Sequence, residues 1–134
     1  MNPETRLLID GKLVEAASGS TYPNINPATE EVMGQVADAG IEDMERAIAA
    51  ARRAFDETDW ALNHDFRHQC LQQLQQGLLA ELDDLKLQIA AETGAPLGIC
   101  GQNGPHCEIP IGFMDYSIET LPKYEWSRDI GVNE

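Results

Sequence analysis

The sequence predicts an α/β chain whose amphipathic helices have no obvious central sheet to cover. Three observations lead there. Asp10-Gly11 sits between two short apolar runs, as in a β-hairpin. Three later segments repeat apolar residues at steps of three and four, as amphipathic helices do. No stretch combines the length and continuous apolarity of a buried central strand.

The elements follow in order. "RLLIDGKLVEA" (6–16) is the hairpin, because Asp-Gly accepts the left-handed angles of a type I′ turn. Turns are expected at Ser18–Ser20 and Asn26–Thr29, with extended pieces at Thr21–Ile25 and Glu31–Val36. Pro23 and Pro27 each lack a backbone donor, so the first piece belongs on an edge. Ile41, Met44, Ile48, Ala51 and Phe55 mark a first helix starting after Gly40. Glu42 and Asp43 lie in its first turn, where the helix dipole favours negative charge. Thr58-Asp59-Trp60 ends it.

Arg67, Leu71, Leu74, Leu78, Leu82, Leu85 and Ile89 mark a second, continuous helix of about six turns. Asn63 is its N-cap, and Gly94 with Pro96 stops it. Ile111, Met114, Ile118 and Leu121 mark a third helix, with Pro110 near its start and Pro122 at its close. Three apolar helix faces then have no sheet of their own to cover.

Composition narrows the function. The chain has 134 residues, suited to one domain, and 43% apolar residues, which excludes gross disorder. Its net charge of −14 opposes both nucleic-acid phosphates and anionic lipid, so neither is an expected partner. No apolar run spans a bilayer, and "MNPETRLLIDG" lacks the pattern of a secretory signal. Three cysteines leave one over from any internal pairing, so a reducing cytoplasm is expected.

The candidate chemistry is thin. Cys100, His106 and Cys107 fall within one loop, but their spacing is not that of a zinc site and no fourth ligand is evident. The simpler reading is a helix-to-helix connection with incidental thiols. Gly101-Gln102 resembles half of a Gly-Gln-x-Cys nucleophile motif, yet position 104 is Gly. His64 and His68 are four apart, without the Glu of His-Glu-x-x-His, and are expected to be solvated at the helix start. "GICGQNG" follows a helix and is not a phosphate loop. Asp115 and Glu119 are expected on a solvated face. The residues alone name no reaction.

The ordered motifs do resemble a family. "LLIDGKLVEAASGSTYPNINPATEEVMGQV" is similar to the opening of the NAD(P)-dependent aldehyde dehydrogenases, with an Asp-Gly hairpin followed by Asn-Pro-Ala-Thr at Asn26–Thr29. Ala50-Ala51-Arg52, Ala54-Phe55 and Trp60 resemble its first helix. "FRHQCLQQLQQGLLAELDDLKLQIAAETGAPL" resembles its second, ending in Glu-Thr-Gly-x-Pro at Glu92–Pro96, with Ala95 where the family more often has Lys. "YEWSRDIG" is similar to the entry into the oligomerisation arm.

The resemblance implies the N-terminal part of an α/β fold. Its hairpin, edge strands and three amphipathic helices would normally pack on a Rossmann-like sheet. Residues 1–122 would belong to an incomplete coenzyme-binding domain, and 123–134 would start the arm. The family's nucleophilic Cys, general-base Glu, oxyanion-hole Asn and cofactor-binding Lys and Gly lie later, and no position here matches them. The parent would use NAD or NADP, while this chain alone is expected to bind neither and to be inactive. Its expected partner is the remainder of such an enzyme. The alternative is an interaction module that pairs with a separate C-terminal chain, or with itself, through exposed apolar helix faces. Some family members hold a monovalent cation, which would fall here on Asn24, Ile25 and Glu92, with at least one further ligand beyond Glu134.

Overall fold

The structure, a computed structural model, describes residues 4–100 and 107–131. Strands β1 (Leu7–Ile9) and β2 (Lys12–Val14) pair antiparallel, Leu7 opposite Val14 and Ile9 opposite Lys12. Their two-residue turn has φ of +55° at Asp10 and +70° at Gly11, the double positive φ that a type I′ turn requires. Strands β3 (Thr21–Ile25) and β4 (Val32–Ala37) form a second antiparallel pair. With only two strands, both are edges, and Pro23 is tolerated. The register steps from Asn24 opposite Gly34 to Ile25 opposite Val32, so Met33 is the extra residue of a bulge.

Helix α1 (Ile41–Glu57) begins at Gly40 in extended conformation. Glycine has no side chain to offer the helix, so half of a capping box operates: Asp43 Oδ2 accepts from the Gly40 N–H at 3.1 Å. The same carboxylate accepts from the Ala17 N–H at 3.1 and 3.2 Å and from Arg46 Nη1 at 3.2 Å. Asp43 is buried, and it ties the loop after the hairpin to the start of α1. The sequence reading gave this residue only a dipole role.

A turn at Asp59–Ala61 leads to α2 (His64–Ala80), whose N-cap Asn63 accepts from the Phe66 N–H at 2.9 Å. The expected continuous second helix is divided. Glu81, at φ −100° and ψ 12°, separates α2 from α3 (Leu82–Thr93). Its N–H still bonds to Gly77 O at 3.2 Å, and its carbonyl still receives Leu85 N–H at 2.9 Å. One residue thus closes one helix and opens the next, and the apolar spacing runs through undisturbed.

Helix α4 (Leu97–Cys100) is a single turn, and α5 (Glu108–Thr120) runs into a short 3-10 turn at Leu121–Lys123. Buried Lys86 on α3 donates to Glu108 Oε1 at 2.6 Å, joining α3 to α5. Gln75 Nε2 on α2 donates to Ile111 O at 3.2 Å and to Asp115 Oδ1 at 2.7 Å. Asp115 therefore does more than face solvent.

The described residues thus form a small α/β assembly of two separate two-stranded sheets and five helices. Ile9 and Ile111 are the large aliphatic side chains that are buried among them. The predicted apolar face of α1 lies in the open, with Ile41 81%, Met44 60%, Ile48 61% and Phe55 53% exposed. The helices lack a central sheet among the described residues, as the patterning implied.

Asp43→Ala should lower the unfolding free energy by about 1–2 kcal/mol in urea titration, since two N–H donors lose their acceptor. Asp43→Asn keeps a carbonyl oxygen and should cost less.

Candidate functional site

A cleft of about 480 Å3 lies where the β3–β4 pair meets α3. Asn24 and Met33 come from the strands, and Asp84, Leu87, Gln88, Ala91 and Glu92 from the helix. The α3 residues share one side because they recur at three- and four-residue steps. Met33 comes from the β4 bulge. Two carboxylates and two amides stand among apolar walls.

Two tight turns hold this geometry. Asn26 Oδ1 accepts from the Ala28 N–H at 2.8 Å and the Thr29 N–H at 3.3 Å, folding the chain between β3 and β4. Gly94 ends α3 at φ +66°, and a Cβ there would lie 2.9 Å from Pro27 Cγ and 3.4 Å from Ala28 N. The Asn-Pro turn is therefore seated against the end of α3.

The expected cation residues come partly together. Asn24 and Glu92 wall the same cleft, whereas Ile25 is half exposed and outside its lining. Glu92 Oε1 accepts from Gln88 Nε2 at 3.2 Å. An amide or main-chain oxygen with a carboxylate is a donor set for a hard cation. Among the described residues, no group of three or more His, Cys, Asp and Glu side chains is placed to hold a metal.

The other candidates divide. Cys100 and Cys107 are buried free thiols, behaving as small apolar residues. His106 and the Gly101-Gln102 pair lie outside the described residues. His64 and His68 are both half-buried, against the expectation of solvated rings. The His64 ring stacks on Trp126, with centroids 4.3 Å apart and planes within 10°. Helical spacing at 64 and 68 carries no sign of a partner so far along the chain.

The Aldehyde dehydrogenase family is matched over residues 13–127 of this chain. The chain belongs to the aldehyde dehydrogenase family. It is 37% identical over 107 residues to a mitochondrial benzaldehyde dehydrogenase of Antirrhinum majus, spanning 79% of this chain and 19% of that protein. It is 32% identical over 130 residues to an aminoacetaldehyde dehydrogenase of Pseudomonas aeruginosa, spanning 94% of this chain and 25% of that one. The crystal structure of a gamma-glutamyl-gamma-aminobutyraldehyde dehydrogenase from Burkholderia cenocepacia superposes with a TM-score of 0.87 at 29% identity. That likeness covers 98% of this chain and 27% of the larger one. The chain thus spans about a quarter or less of these relatives and corresponds to the N-terminal portion of the family. No described helix is long and apolar enough to cross a membrane.

Family membership gives the cleft's two turn motifs a physical reading. The Asn-Pro-Ala-Thr and Glu-Thr-Gly-x-Pro segments, far apart in sequence, touch through Pro27 and Gly94. Gly94→Ala should therefore destabilise the chain by about 1–3 kcal/mol in urea titration, from positive φ and from the contact with Pro27.

Proposed function

We infer that this chain is the N-terminal portion of an NAD(P)-dependent aldehyde dehydrogenase, supplying framework rather than reacting groups. The carrying observation is the open apolar face of α1 in a chain that superposes on larger enzymes of the family. In this reading the remainder of the enzyme covers that face, and its later residues bind NAD or NADP and attack the aldehyde. Residues 1–122 belong to the coenzyme-binding domain, and 123–134 start the oligomerisation arm. The nicotinamide cofactor, held by those later residues, would supply the hydride acceptor for oxidation of the aldehyde. Cys70, Cys100 and Cys107 are not the attacking cysteine; the latter two are buried beside packed helices.

Asn24 and Glu92, with the main chain at Ile25, would hold a monovalent cation at the cleft wall. Their shared lining supports this reading. The ion would brace the Asn-Pro turn against α3. The open α1 face also favours a second reading, in which the chain alone binds a separate C-terminal chain or another copy of itself.

Purified alone, the chain should give no aldehyde-dependent NADH absorbance. Co-expression with the complementary C-terminal portion of a family member should restore it. NADH production by the chain alone would refute the framework reading. A monomer in light scattering that ignores the C-terminal portion would refute the interaction reading.

Exchanging Na+ or K+ for a bulky organic cation at constant ionic strength should lower Tm. Glu92→Gln should abolish that difference. Equal Tm values in all salts would remove the cation.

A further inference from the structure

The residues after α5 turn back onto α2. Beyond the turn at Leu121–Lys123 the chain runs in extended form, and Tyr124 and Trp126 meet edge to face with centroids 4.8 Å apart. Trp126 takes the flat face of His64 at 4.3 Å and the Arg67 guanidinium at 4.7 Å. Arg67 Nη2 also bonds to His64 Nδ1. Arginine can only donate, so His64 Nδ1 is the acceptor in this contact. Arg67 Nε is buried without a hydrogen-bond partner.

We propose that His64, Arg67 and Trp126 form a proton-sensitive latch, pinning the 124–126 strap to the start of α2 while His64 is neutral. Protonating Nδ1 removes the acceptor for Arg67 and sets two cations against each other at bonding distance. A cation–π contact of the imidazolium does not offset this, because Trp126 already carries the Arg67 cation. Release of the strap also lets water reach Arg67 Nε. Both effects favour opening as the pH falls.

The other charged or titratable groups around the start of α2 do not replace this control. Asp59, in the preceding turn, is held by Asn63 Nδ2 at 2.6 Å, and Asp115 on α5 is held by Gln75. Asp65 and His68 lie on α2 itself, Tyr116 and Glu119 on α5, and Lys123 and Glu125 beside the strap. Of these only His68 is a second imidazole, and its replacement is the control below. The latch sets the direction in which the chain leaves the helices.

The test uses the whole chain carrying Trp60→Phe, which leaves Trp126 as the sole indole. Its emission maximum should move to longer wavelength from about pH 8 to 5, with far-UV ellipticity unchanged. His64→Gln should abolish the shift, and His68→Gln should retain it. A flat emission maximum, a shift that survives His64→Gln, or a coincident loss of ellipticity would overturn the latch. Should His64→Gln itself lose ellipticity, NMR of the otherwise unchanged chain decides. Coincident midpoints for the His64 ring and the Trp126 indole N–H uphold the latch, and separate midpoints overturn it.

Discussion

The Asp43 carboxylate, 2% exposed, accepts main-chain N–H bonds from Ala17 and Gly40 at once. A carboxylate so placed must keep its partners, because burying it unpaired would cost several kcal/mol. The loop after the hairpin and the first turn of α1 are thereby held together, and the rotation of α1 about its axis is set. At about 100° per residue, Ile41, Met44, Ile48 and Phe55 fall roughly 100–160° around the helix from Asp43. Turning Asp43 inward therefore turns these four outward. Their exposure follows from a buried polar contact, and it defines the surface the rest of an enzyme would meet.

Elements whose cause is local were legible in the sequence. The Asp10-Gly11 hairpin needs only two residues with positive φ, and Asn63 caps α2 through a bond three residues away. The Gly94 stop is likewise carried by one residue in the left-handed region. The break at Glu81 was not legible, because its bonds to Gly77 and Leu85 preserve the helical apolar period on both sides. Nor was the contact of Gly94 with Pro27, since each motif reads as an ordinary turn until the fold joins them. The cleft was half visible. Family resemblance pointed to Asn24 and Glu92, whereas Met33 enters through a bulge and Asp84, Leu87 and Gln88 through the rotation of α3. Neither bulge nor rotation has a signature in residue type.

Polar ties join the helices beside their half-buried apolar stripes. Lys86 with Glu108 and Gln75 with Ile111 and Asp115 link α3 and α2 to α5. Such ties are directional and fix relative placement, but each contributes only about 0.5–3 kcal/mol net. Burial is non-directional and stabilises more, yet among the described residues it reaches few large side chains. Geometry and stability are thus separated here: the polar contacts set where each helix lies, and much of the apolar surface waits for a cover.

The magnitude of that uncovered surface decides how it should be understood. Fully burying one large aliphatic or aromatic side chain is worth about 1.5–3 kcal/mol. Ile41, Met44, Ile48 and Phe55 are each more than half exposed, so covering this one face would add roughly 4–7 kcal/mol. A whole small domain has only about 5–15 kcal/mol of net stability. A face worth so large a share of that range is a major structural contact rather than scattered surface grease. The Burkholderia enzyme on which this chain superposes is nearly four times as long, this chain accounting for 27% of it. The loop after the hairpin and Asp43 fix how α1 presents this side, because the two N–H bonds to one buried carboxylate hold the first turn of the helix in place.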